Sequence, residues 1–188
     1  MSTTIIIIII IIILIIILIY IYNKSNENFT QNDNTQEPLE NTCACIFDID
    51  GTISCSFDNV KKAVNTCKRE GCILGINTAR KTDVGIEDIL NKADISKNDF
   101  SYIHTGKWSI FNGENIPDQI AYDKSQYLED VYNDNNKKIE KKHIILFDDN
   151  INNINFAKLL GYNTIYANNP KCGLNNDVDN QILNILRS

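Results

Sequence analysis

The chain has 188 residues, which gives room for one domain. Its formal net charge of −6 at pH 7 argues against a general nucleic-acid-binding protein, because such a protein needs a basic surface. The one basic cluster consists of four lysines: Lys137, Lys138, Lys141 and Lys142. It precedes a predicted strand, at the end opposite to the polar strand ends described below, and we interpret it as a solvated face.

The N-terminal segment from Ile5 to Ile21 consists of isoleucine and leucine, interrupted only by Tyr20. At about 1.5 Å per residue, a helix of this length covers most of a hydrocarbon core of roughly 30 Å. Residues 1–4 carry no base and no small-residue cleavage site follows, as a signal peptide would require. We predict an uncleaved, single-pass transmembrane anchor over residues 1–22, with residues 5–22 in contact with membrane lipid. The alternative is a low-complexity segment prone to β-aggregation.

Residues 23–41 are rich in Asn, Glu, Gln and Thr and contain almost nothing apolar, which predicts a disordered tether. Residues 42–188 remain, and they suffice for one hydrophobic core. Lys24 is the only base close to the predicted anchor, so the positive-inside rule specifies the membrane orientation poorly.

The six cysteines show no spacing typical of a metal site. Cys43 and Cys45 lie on one face of a predicted strand, where they would pack as small core residues. We interpret all six as reduced thiols in the core. This interpretation favours the cytosolic side of the membrane for the folded domain, although the side is otherwise open.

Three apolar runs, each typical of a buried strand, end in polar residues. The runs are Cys43–Phe47, Cys72–Ile76 and His143–Phe147, and the polar residues after them are, in the same order, Asp48 with Asp50, Thr78 with Arg80, and Asp148 with Asp149. Burying paired carboxylates is costly unless a cation or hydrogen bonds compensate. Because ligands bind outside the carboxyl ends of parallel strands, these clusters should converge. The pattern predicts a cation site beside a gap of phosphate size.

The chain between these strands alternates between helical and extended patterns. Helices are predicted at 60–69, from 86, from 124 and at 151–160 and 181–186, and two further strands at 101–104 and 161–167. Such alternation predicts an α/β fold. We expect a three-layer, Rossmann-like domain with a mainly parallel five-stranded sheet, preceded by the N-terminal transmembrane helix.

The sequence Asp48-Ile49-Asp50-Gly51-Thr52 closely resembles the first motif of the haloacid dehalogenase-like (HAD) superfamily of phosphohydrolases. The later motifs of this family are a Ser or Thr, a Lys and an acidic pair. Thr78 and the pair Asp148-Asp149 match them in the right order. The resemblance spans about residues 43–174.

The lysine of the family has two candidates. Lys124 precedes Tyr127, Leu128 and Val131, which are at helical spacing, so it would stand at the start of a helix as the family requires. Lys107 follows the predicted strand at 101–104 and is the rival. We prefer Lys124.

The resemblance implies a role for each matched residue. Asp48 would attack phosphorus and form an aspartyl-phosphate, while Asp50 would be the general acid and base. Thr78 would bind a phosphoryl oxygen, and Lys124 would neutralise charge and hold Asp48. The implied cofactor is Mg²⁺, a cation that prefers oxygen ligands. Its ligands would be Asp48, the backbone carbonyl of Asp50 and the acidic pair, with Asp149 as the direct ligand and Asp148 as its support.

The implied function is a membrane-tethered, Mg²⁺-dependent phosphatase acting on phosphomonoesters. Dehalogenase-type members of the family lack a carboxylate at the position of Asp50, so its presence favours phosphoryl chemistry. The segment between Asp50 and Thr78 is mostly one helix, and residues 106–118 are too short for a full cap, which predicts the minimal-cap type. In that segment Trp108 and Phe111 could form a lip facing the substrate or pack on the core. An open site suits bulky phosphorylated molecules and does not exclude small ones. The alternative function is a catalytically inactive binding module with the same fold.

Overall fold

The computed structural model describes residues 42–106, 116–135, 138–170 and 172–188. They belong to one unit, residues 41–188. The predicted anchor and tether, together with Lys107, Trp108, Phe111 and Lys137, lie outside the described residues. Within the described ranges, no helix has both the length and the apolar character needed to cross a membrane.

Five parallel strands form one sheet in the order β3-β2-β1-β4-β5. The strands are β1 (Ala44–Phe47), β2 (Ile73–Thr78), β3 (Tyr102–Thr105), β4 (Ile144–Asp148) and β5 (Asn163–Tyr166). The prediction of a five-stranded parallel sheet is confirmed. The chain runs outward from β1 to β3 on one side and then returns to place β4 on the other side of β1. This reversal opens a crevice at the carboxyl ends of β1 and β4, where ligands bind in such sheets.

Helices cover both faces of the sheet. They are α1 (Phe57–Arg69), α2 (Ile86–Lys92), α3 (Ile116–Asp134), α4 (Ile151–Leu159) and α5 (Val178–Leu186). Side chains of a strand alternate between its two faces. Cys45 and Phe47 of β1 therefore pack in one hydrophobic cluster with α1, α2 and α5, while Ala44 and Ile46 pack in a second cluster with α3 and α4. This division gives the expected three-layer, Rossmann-like α/β architecture.

Helix α3 begins eight residues earlier than the sequence analysis predicted, so that Lys124 lies inside the helix rather than at its start. Pro117 suits the first turn of a helix, where its missing N–H is not needed. Further along, Ala121, Leu128 and Val131 are buried at helical spacing, and Lys124 occupies a buried position between them. A charged residue on the buried face concealed the continuity of the apolar pattern.

The interpretation of the six cysteines as reduced thiols is wrong in this structure. They form three disulfides, Cys43–Cys72, Cys45–Cys67 and Cys55–Cys172, and none of the six is free. The register of the sheet explains the first, because β1 pairs with β2 through Ala44 and Ile73, which follow Cys43 and Cys72. The preference for the cytosolic side therefore loses its basis.

Candidate active site

The carboxyl ends of β1, β2 and β4 bring the predicted site residues to one edge of the sheet. Asp48 directly follows β1, and its backbone N–H donates to the carbonyl of Phe147 in β4 at 2.9 Å. Thr78 is the last residue of β2 and Asp148 the last of β4. All three side chains are buried. Adjacent parallel strands thus place residues that are distant in the chain at one edge of the sheet.

Lys124 lies in the middle of α3 and contacts two of these carboxylates. Its Nζ donates to Oδ1 of Asp48 at 2.6 Å and to Oδ2 of Asp148 at 2.7 Å, and the residue is only 2% exposed. The side-chain amide of Asn77 in β2 donates to the backbone carbonyl of Lys124 at 2.8 Å. This hydrogen bond fixes the position of α3 relative to β2. Burial opposes the charge on Lys124, but the two carboxylates outweigh it and raise the pKa of the ammonium. Lys124 therefore remains a cation.

Asp148 is fully buried and accepts several hydrogen bonds. In addition to Lys124, its Oδ1 accepts from the backbone N–H of Asn150 and from the side-chain amide of Asn153, each at 2.8 Å. A carboxylate held from several sides is fixed in orientation, which suits a supporting role. The sequence analysis did not identify Asn153. Because the same helix also carries Asn152 and Asn155, no signal in the sequence singled out Asn153.

Asp149 approaches Gly51 so closely that no larger residue fits there. A Cβ atom built on Gly51 would lie 2.0 Å from Oδ2 of Asp149, and the φ of Gly51 is +79°, in the left-handed region. The close approach of Asp149 and the positive φ thus both require glycine at this position. Burial and the neighbouring Asp148 raise the pKa of the Asp149 carboxyl.

Three carboxylates gather around the position where a metal ion would bind. Asp48, Asp148 and Asp149 each offer an oxygen within 4.8 Å of the others. When all three carboxylates are ionised, Lys124 supplies one positive charge against three negative ones, and a divalent cation would balance the cluster. Burial raises the pKa of Asp48 to about 7, with Lys124 lowering it and Asp148 raising it further. The oxygen ligands and the uncompensated charge both fit Mg²⁺.

The carboxylate of Asp50 lies outside this cluster and pairs with Arg80. The guanidinium donates from Nε to Oδ2 at 2.8 Å and from Nη2 to Oδ1 at 2.5 Å. These hydrogen bonds are the main reason that the pKa of Asp50 is lowered. The resemblance assigned only the backbone carbonyl of Asp50 to the metal, so this ion pair does not conflict with the metal site. Arg80 had been noted after β2 without a role.

Thr78 is fully buried and orients the start of the loop after β2. Its Oγ1 accepts a hydrogen bond from the backbone N–H of Arg80 at 3.3 Å. The turn that Thr78 stabilises in this way directs the side chain of Arg80 towards Asp50.

Of the two lysine candidates, the structure describes only Lys124, and it is in contact with the nucleophile candidate Asp48.

We expect Mg²⁺ to stabilise the protein against unfolding, because the cation would balance the excess negative charge. At a hundredfold its Kd, a ligand that binds only the folded state contributes about 2.7 kcal/mol. For a domain of this size, that raises Tm by roughly 5–10 °C. Thermal melting with MgCl₂, against NaCl of equal ionic strength, measures the effect. Asp149→Asn should remove most of it, and an equal rise in NaCl would contradict the metal site.

Comparison with known proteins gives structural matches only. No protein-family profile matches the chain, and no curated protein does. The core domain of a Streptococcus pneumoniae protein assigned as a phosphoglycolate phosphatase is 18% identical, with a TM-score of 0.48, over 78% of this chain and 96% of that one. CbbY from Rhodobacter sphaeroides, solved with phosphate, is 14% identical, with a TM-score of 0.39, over 66% of this chain and 85% of that one. An uncharacterised Corynebacterium glutamicum protein is 14% identical, with a TM-score of 0.44, over 66% of this chain and 84% of that one. At these identities and TM-scores, only the residues of the site indicate what the protein does.

Proposed function

We propose that residues 42–188 are an Mg²⁺-dependent, HAD-like phosphatase that hydrolyses phosphomonoesters through an aspartyl-phosphate. The observation that carries this proposal is the buried ammonium of Lys124, which contacts both Asp48 and Asp148 beside the carboxylate of Asp149. A single lysine held by two buried carboxylates is costly to assemble for stability alone. A site for a divalent cation and a phosphoryl group accounts for it.

The chemistry assigns one step to each residue. An oxygen of Asp48 forms a bond to phosphorus, and the bond between phosphorus and the ester oxygen breaks. The departing oxygen takes a proton from Asp50, which later accepts one from the water that hydrolyses the aspartyl-phosphate. Lys124 holds Asp48 in place, and Thr78 would bind a phosphoryl oxygen. Mg²⁺, bound by Asp48, Asp149 and the backbone carbonyl of Asp50 with Asp148 as support, would neutralise phosphoryl charge.

The length of the segment between β1 and β2 bears on the class of substrate. The segment between β1 and β2 holds one short 3₁₀ helix, Ile53–Cys55, and α1, so no cap domain is inserted there. We propose a minimal-cap site that accepts phosphorylated macromolecules as well as small molecules.

A second candidate function is a binding module that keeps the fold without turnover. One observation favours it: both side-chain oxygens of Asp50 are engaged by Arg80. An acid that stays in this ion pair cannot donate a proton to a leaving group.

Hydrolysis of p-nitrophenyl phosphate by the full-length protein, solubilised in a mild detergent, separates the two functions. The phosphatase predicts turnover that needs Mg²⁺ and stops on addition of EDTA. Binding of inorganic phosphate without any turnover would instead support the binding module.

We also propose that the folded domain works in an oxidising compartment, opposite to the side first expected. The support is the pairing of all six cysteines, since structural disulfides persist in such compartments and are rare in the cytosol. The anchor over residues 1–22 belongs to the same proposal, because it would tether the domain to the membrane on that side.

Thiol labelling and carbonate extraction of the full-length protein in its membranes test both parts. A maleimide-linked polymer should not change the electrophoretic mobility of the unfolded protein until a reductant is added. It should then label six thiols. Labelling without the reductant would contradict the compartment. Release of the protein by alkaline carbonate would contradict the anchor.

A further inference from the structure

Arg80 and Asp50 form a fork-to-fork ion pair at the open side of the site. Two nitrogens of the guanidinium donate to the two oxygens of the carboxylate, the geometry in which arginine also binds phosphate. The pair occupies both oxygens of the residue that the phosphatase chemistry would use for proton transfer. Turnover therefore requires that the two side chains separate.

The pair is placed where a substrate could separate it. The side chain of Arg80 is 31% exposed and that of Asp50 is 58% exposed. Exposed ion pairs contribute little net free energy, because water competes for both partners. Lys124, by contrast, is buried and engaged by two carboxylates, so it has little freedom to meet an incoming anion.

The backbone of Arg80 is held although its side chain is accessible. Its N–H donates to Oγ1 of Thr78, and its carbonyl accepts from the N–H of Gly106 at 2.7 Å. A fixed backbone lets the guanidinium move between two partners while it stays beside Thr78. The loop thus presents a positioned anion-binding group.

We propose that Arg80 is a substrate-binding residue whose guanidinium leaves Asp50 to bind the phosphoryl group of the substrate. This inference rests on the proposed phosphatase function. In the free protein, the carboxylate of Asp50 occupies Arg80 as an internal anion. When phosphate takes its place, the oxygens of Asp50 become available to the leaving group. Arrival of the substrate thus frees Asp50 as a carboxylate, which takes up a proton from water before it gives one to the leaving oxygen.

Binding of inorganic phosphate in the presence of Mg²⁺, measured by calorimetry on the full-length protein in detergent, tests the proposal without turnover. Arg80→Met should weaken phosphate binding by roughly tenfold to a hundredfold, the range for charge-assisted hydrogen bonds. Arg80→Lys should recover only part of the loss, because an ammonium cannot form the fork. Arg69→Ala is the matched control: an exposed arginine paired with Glu70 at the opposite end of the sheet, whose loss should leave binding unchanged.

A double-mutant cycle separates this role from a structural one. Asp50→Asn removes the internal anion, so phosphate should bind more tightly than to the unaltered protein. In the Arg80→Met background, the same substitution should have a much smaller effect. Equal effects in both backgrounds, or an unchanged affinity in Arg80→Met, would overturn the proposal.

The steady-state constants show whether the two proposals stand or fall together. If p-nitrophenyl phosphate is hydrolysed, Arg80→Met should raise KM by a factor similar to the loss in phosphate affinity. An unchanged KM with normal turnover would refute the role of Arg80 and leave the phosphatase intact. Loss of phosphate binding in Arg80→Met, in a protein that never turns over, would support Arg80 as the anion site and refute the phosphatase.

Discussion

Asp48→Asn should reduce phosphatase turnover by about 10³-fold or more while the protein remains folded. The substitution keeps the size of the side chain and removes only the nucleophilic oxygen anion. The amide in its place would still offer a carbonyl oxygen to Lys124, and the loss of one of three clustered carboxylates relieves repulsion. Hydrolysis of p-nitrophenyl phosphate with Mg²⁺ measures the activity, and thermal melting shows that the fold survives.

Asp94→Asn is a matched control for this experiment. Asp94 is an exposed carboxylate paired with Lys61, and its φ of +54° is one that asparagine adopts readily. The control should keep normal activity. Full activity in Asp48→Asn, with the control also normal, would refute Asp48 as the nucleophile.

Lys124→Met should impair both stability and activity. The substitution leaves two buried carboxylates without their ammonium, and removing one partner of a buried ion pair costs about 3–5 kcal/mol. Activity should fall by roughly 10²–10³-fold, the range for loss of one stabilising group in an active site. Denaturant unfolding and steady-state kinetics measure the two effects.

A second substitution separates the two roles of Lys124. Adding Asp148→Asn to Lys124→Met should restore part of the lost stability, because one uncompensated charge disappears, and should restore no activity. Lys107→Ala, which alters the rival lysine, should retain activity. Strong loss of activity in Lys107→Ala, with little effect in Lys124→Met, would transfer the role to Lys107.

The strands and their polar ends could be predicted because both are local properties of the sequence. A run such as Cys43–Phe47 is apolar throughout, as a strand buried on both faces must be, and the carboxylates begin where the run stops. The alternation of such runs with helical patterns then indicated a mainly parallel sheet, in which the carboxyl ends share one edge. The convergence of Asp48, Thr78 and Asp148 followed from that geometry.

The start of α3 could not be predicted, because its buried face includes a charge. Lys124 lies between Ala121 and Leu128 on that face, and only the carboxylates of two distant strands make its burial possible. The apolar residues from which the helix was predicted, Tyr127, Leu128 and Val131, all follow the lysine. Lys124, which interrupts the apolar face of the helix, is also the residue that the proposed chemistry requires.

By itself, the sequence determined which residue types end the buried strands, and hence that carboxylates, a threonine and an arginine meet at one edge. The tertiary structure alone decided how these residues pair. Arg80 meets Asp50, and Asn153 meets Asp148, because loops and helix ends place them within hydrogen-bond distance. The disulfides were decided in the same way: strand register and the packing of α1 bring cysteines together that no spacing along the chain relates. Periodicity reports burial along one element, whereas partners are set by distances between elements.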